Sequence, residues 1–132
     1  MDMVLITGGA FQGKLEIARE LYRKQNPGKE PTVLEGELAA LGQLQQADII
    51  SQFHLWLRAL LQEGKDPYSM VEGLLAENPG VLVVMDQLGC GIVPVDAFDR
   101  EWRETAGRIG CLLAKQADEV YLVNCGIGRR LK

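Results

Sequence analysis

Apolar and polar positions along this chain switch repeatedly between a short continuous run and a spacing of three to four residues, and each switch marks a new element. Residues 3 to 7 are a short, largely apolar run that ends in Gly8-Gly9; Leu15, Ala18, Leu21 and Tyr22 then recur at helical spacing. That order predicts strand, tight loop, helix. Asn26-Pro27-Gly28 stops the helix, and Thr32-Val33-Leu34-Glu35, short and bounded by Pro31 and Gly36, suits a second strand.

From Glu37 to Gly64 the pattern reads as mostly helical, because Ile50, Phe53, Leu57, Leu60 and Leu61 share one helical face. A strand around Ala47-Asp48-Ile49-Ile50 is the alternative, so 46–52 is open between the two. Asp66 caps a short helix opened by Pro67, and Asn78-Pro79-Gly80 closes it. Val81-Leu82-Val83-Val84-Met85 is apolar throughout, as a strand buried on both faces must be, and it ends at Asp86.

Gln87 to Pro94 then reads as a glycine-bearing loop, and Ala97, Phe98, Trp102, Ala106, Ile109, Leu112 and Leu113 follow at roughly helical spacing. Val120-Tyr121-Leu122-Val123 is expected to be the last strand. Strand and helix alternate throughout, which predicts an α/β three-layer sandwich of the P-loop type, with a mainly parallel central sheet. Its ligands should sit outside the carboxyl ends of the strands, where Gly8–Lys14, Asp86–Gly91 and Asn124–Gly126 converge.

Composition narrows the classes without choosing among them. With 132 residues, 47% hydrophobic and 24% charged, the chain is expected to be one nucleotide-binding α/β domain over 1–132. The formal charge of -4 argues against nucleic acid as a partner, since phosphate backbones select basic surfaces. No apolar stretch approaches the ~20 residues that span a bilayer, and the N-terminus opens no signal peptide, so no membrane and a cytoplasmic location are expected. Cys90, Cys111 and Cys125 are widely spaced with no CxxC, which suggests reduced thiols and no metal site. His54 is the only histidine and lies in the apolar Phe53-His54-Leu55-Trp56-Leu57, where a packed structural ring is favoured over a catalytic one.

Candidate chemistry lies in Gly8-Gly9-Ala10-Phe11-Gln12-Gly13-Lys14. Glycines let successive backbone N–H groups turn inward around phosphate oxygens, the following helix adds its positive end, and Lys14 can reach the outer phosphates. Where such a loop ends in Ser or Thr, this one has Leu15, which offers Mg²⁺ no oxygen. Asp86 is the remaining carboxylate suited to Mg²⁺ or to a substrate hydroxyl, and equally to bonding with loop amides.

A more specific signal lies towards the C-terminus. Gly89-Cys90-Gly91-Ile92-Val93-Pro94, Arg100-Glu101-Trp102-Arg103-Glu104 with Gly107, and Ala117-Asp118-Glu119-Val120-Tyr121-Leu122-Val123 closely resemble the bifunctional adenosylcobinamide kinase / adenosylcobinamide-phosphate guanylyltransferase family. Phe53 to Leu61, Ile6 to Ala10 and Gly13-Lys14 extend the resemblance in the same order. It implies a usually trimeric nucleotide-binding fold that phosphorylates adenosylcobinamide and then transfers GMP through a guanylylated histidine. ATP or GTP, Mg²⁺ and cobinamide or another corrinoid are the ligands so implied, with a homo-oligomer as the assembly.

The departures fall mostly on chemistry. Leu15 replaces the loop hydroxyl, Ser51 stands at the family's acidic position, and Gln87 replaces a Glu. Gly110-Cys111 replace an Asn-Gln pair, Gly128 replaces a proline, and His54 matches a family threonine. The segment that carries the nucleotide-accepting histidine has no counterpart. These losses weigh against guanylyl transfer and leave kinase chemistry dependent on Asp86; the alternative is a non-catalytic protein that binds a corrinoid or a pathway partner.

Overall fold

The computed structural model of the protein describes residues 3–38, 41–88 and 96–132. The elements run β1 (Val4–Gly8), α1 (Lys14–Gln25), β2 (Val33–Glu35), α2 (Leu41–Leu44), β3 (Ile49–Ser51) and α3 (Phe53–Gln62). They continue with α4 (Pro67–Glu77), β4 (Leu82–Asp86), α5 (Ala97–Gln116), β5 (Glu119–Asn124) and β6 (Ile127–Arg130). The six strands form one sheet in the order β2-β3-β4-β1-β5-β6, parallel except where β6 runs antiparallel to β5.

Period-two alternation in the central strands divides their side chains between two helical layers. Leu5, Ile50, Val83, Met85 and Val120 pack with Phe53, Leu57 and Leu60 of α3, Leu74 of α4, and Ile109 and Leu113 of α5. Val4, Ile6, Ile49, Leu82 and Val84 face the other way, onto Ala18 of α1. Apolar burial on both faces is what the uninterrupted Val81–Met85 run requires. The predicted three-layer α/β sandwich is the fold.

One open point of the sequence reading is decided and one part needs correction. Within Glu37–Gly64 the strand alternative holds for 46–52: Ile49-Ile50-Ser51 form β3 between β2 and β4, and Ile49 and Ile50 are fully buried on opposite faces. Helical spacing between Ile50 and Phe53 was coincidental, because both reach the same core from different elements. Gln52, at a left-handed φ of 52°, makes the break that lets α3 begin.

Val120–Val123 is also not the end of the sheet, since β6 adds an antiparallel edge strand after the turn at Cys125-Gly126. All four β6 residues are exposed, so its sequence carries no apolar alternation to announce it. Main-chain pairing with β5 suffices. Helix punctuation reads as expected: Asp66 accepts from Tyr68 N at 3.0 Å with Pro67 opening α4, and Asp96 caps α5 by accepting from Phe98 N at 2.7 Å.

Register sets where the site will be. Gly8 pairs with Asp86 across β1 and β4, so the glycine loop leaves the sheet beside that carboxylate. Gly8 itself has φ 155°, and a Cβ built there would stand 2.4 Å from the Val123 carbonyl oxygen of β5. Gly8→Ala should therefore destabilise the fold by on the order of 3 kcal/mol in chemical denaturation, because backbone must move. Gly28→Ala, at φ 79° with no atom within 4 Å, should cost only about 1 kcal/mol of backbone strain. Equal losses would contradict the contact.

Candidate phosphate-binding site

The loop after β1 ends with Gly13 at φ 86°, a left-handed conformation that glycine adopts without penalty and that turns the chain directly into α1. No side chain caps this helix start, so its first N–H groups are available to an anion. A Cβ on Gly13 would lie 3.2 Å from Gly126 Cα, so the loop also needs glycine to fit beneath the β5–β6 turn.

That turn holds the loop at a single residue. Cys125 N donates to Gln12 Oε1 at 2.6 Å, and Gly126 N donates to the Gln12 carbonyl at 2.8 Å. The segment Asn124–Gly126, expected at the strand ends, is thus fastened to the phosphate loop. Phe11, next to it, is fully exposed at φ 58°, a conformation rare for an aromatic residue.

Lys14 is folded inward. Its side chain is 7% exposed; Nζ donates to the Gly9 carbonyl at 2.6 Å and pairs with Asp86 Oδ1 at 2.7 Å. Asp86 Oδ2 lies 3.4 Å from His54 Nε2, while the Asp86 N–H donates to His54 Nδ1 at 3.1 Å. Nδ1 therefore acts as acceptor and the ring proton sits on Nε2, facing the carboxylate. The His54 carbonyl in turn accepts from Trp102 Nε1 of α5 at 2.7 Å, and the two rings stack.

Burial pushes the His54 pKa below its usual value, and the Lys14 charge adds to this against the opposing pull of Asp86. The ring is structural, as its apolar surroundings suggested, but it is also bonded to the candidate carboxylate, which spacing could not indicate. Trp102 packs inside the chain, with the Arg58 guanidinium 5.3 Å above its ring.

These groups surround a cavity of about 400 Å³ lined by Gln12, Lys14, Leu15, Ser51, His54 and Asp86 among others. The loop and Asp86, predicted to converge, do so; Ser51, where the resemblance places an acidic residue, lines the same space 5% exposed. A second cavity of about 490 Å³ lies between α5 and the sheet, lined by Met85, Gln87, Leu88, Gly110 and Cys111. Gly110-Cys111, where the resemblance places Asn and Gln, thus face a different space from Lys14. Gly128 packs against Ile17 of α1. The Gly89–Pro94 motif, with Cys90, lies outside the described residues.

Residues 27–131 match the profile of a family described as cobinamide kinase / cobinamide phosphate guanyltransferase. The chain belongs to that family. Among curated proteins, the bifunctional adenosylcobalamin biosynthesis protein CobU of Salmonella typhimurium is 46% identical over 52 residues, 39% of this chain and 29% of that protein. Its counterpart in Escherichia coli is 44% identical over the same length and shares. In these alignments the chain spans less than a third of the relatives' length. The family match begins after the glycine loop, so the reading of Gly8–Lys14 in this cobinamide kinase relative rests on geometry. Among the described residues no group of three or more His, Cys, Asp and Glu could hold a metal ion, and no helix is long and apolar enough to cross a membrane.

The histidine makes a pH prediction. A ring whose folded-state pKa is depressed adds stability that is present above its unfolded value of 6.5 and lost as pH falls through the folded value. Unfolding midpoints of wild type should therefore fall more steeply between about pH 7 and about pH 5 than those of His54→Asn, which keeps an acceptor for the Asp86 N–H. Parallel slopes would show that His54 does not fold neutral.

Proposed function

We propose that this family member binds the phosphates of ATP or GTP in the loop Gly8, Gly9, Ala10, Phe11, Gln12, Gly13 and Lys14. The observation that carries this reading is Lys14: a buried lysine at the uncapped start of α1, at the carboxyl ends of β1 and β4, inside a cavity large enough for a phosphate chain. On nucleotide binding, Lys14 leaves the Gly9 carbonyl and shares its charge between phosphate and Asp86.

Asp86 is then the group placed to accept a proton from an acceptor hydroxyl, cobinamide or another corrinoid being the acceptor suggested by the family's name. Guanylyl transfer through histidine is not part of this proposal, because the sole histidine is buried and committed through Nδ1 to the Asp86 main chain. Leu15 and Ser51 favour a second reading, a non-catalytic corrinoid- or partner-binding protein. Both readings include a homo-oligomer acting in cobalamin biosynthesis in the cytoplasm.

Lys14→Ala should abolish the thermal stabilisation that millimolar ATP or GTP gives wild type, with circular dichroism confirming that the variant folds. Absence of any shift in wild type would end the nucleotide reading. Incubating the full chain with cobinamide and ATP or GTP and analysing the products then separates the two alternatives: phosphorylated cobinamide, with release of the nucleoside diphosphate, excludes the non-catalytic one.

A further inference from the structure

Phosphate loops commonly share their charge with Mg²⁺, a small hard ion whose near-octahedral shell at ~2.0–2.1 Å is made of waters, substrate phosphate oxygens and one or two protein oxygens. The donors of this site do not suit it. At the start of α1 the cavity wall is the Leu15 side chain, which has no oxygen to offer. At the end of β3, Ser51 offers a neutral hydroxyl in place of a carboxylate.

Asp86, the carboxylate closest to the loop lysine, has both oxygens engaged. Oδ1 is 2.7 Å from the Lys14 ammonium and Oδ2 faces the His54 Nε2 proton. A dication coming to either oxygen would approach one positive charge closely and would have to displace a donor fixed by the Asp86 main chain itself. Glu35, at the end of β2, lines the same cavity but is exposed, and among the described residues it belongs to no group of three or more His, Cys, Asp and Glu that could hold a metal ion.

Resting on the phosphate-binding reading above, we propose that this loop takes its phosphate group as the metal-free anion. Lys14 and the main-chain N–H groups at the start of α1 supply the positive charge that Mg²⁺ would otherwise bring. Asp86, oriented by His54, holds the ammonium at the loop, and neither residue serves as a cation ligand. The ligand class is a phosphate ester or nucleoside phosphate whose binding is indifferent to divalent cations.

The test is isothermal titration of the full chain with ATP, once in EDTA and once in excess MgCl₂. Affinities within about twofold of each other are expected, and Leu15→Ser should bind about tenfold more tightly with Mg²⁺ than without it. Wild-type binding that requires Mg²⁺, or is tenfold tighter with it, overturns the metal-free proposal and leaves the phosphate loop standing. A Leu15→Ser variant as indifferent to Mg²⁺ as wild type removes Leu15 as the cause and overturns the argument. No binding under either condition overturns this proposal and the nucleotide reading together.

Discussion

The contact on which the other parts of the site depend is the pairing of Lys14 with Asp86. Lys14 is 7% exposed and Asp86 23%, so both charges have lost hydration, and their 2.7 Å pairing compensates each. Each makes the other tolerable. Because Asp86 also engages both nitrogens of His54, and His54 receives the Trp102 indole through its carbonyl, one chain of contacts joins α1, β4, α3 and α5. The glycine loop is thereby tied to both helical layers.

A second constraint is the closeness of main chain to main chain on the β5 side. Gly8 lies against Val123, Gly13 against Gly126, and Gln12 accepts both hydrogen bonds from the turn. Side chains at Gly8 and Gly13 would push these segments apart. The β5–β6 hairpin is thus the wall that shapes the loop, which gives its solvent-exposed strand a purpose in the site. Phe11, next to Gln12 in the loop, is fully exposed.

Family membership and site chemistry point in different directions. Residues 27–131 match the family's profile, and burial and backbone geometry do not depend on the reaction a fold hosts. Leu15 offers no side-chain oxygen and Ser51 only a hydroxyl, and the carboxylate nearest the lysine lies on β4, one strand across from Ser51. A negative charge so placed balances Lys14. It does not recreate the donor set of a metal-assisted transferase.

The sequence by itself determined the layer order and that the glycine loop and Asp86 meet at the carboxyl ends of the central strands. Buried strands must be apolar on both faces, and glycines before a helix with a following lysine mark a phosphate loop wherever the sheet is parallel. Only the tertiary structure decided β6, because an edge strand exposed along its whole length is held by main-chain bonds and leaves no hydrophobic pattern. It also decided between strand and helix at Ile49–Ser51, where two short apolar residues fit either period until their neighbours are placed. The joining of His54 to Asp86 across 32 residues, and of Gln12 to Cys125 across 113, belongs to the same class. Such contacts follow from how strands cross over and pack, and no local period records them.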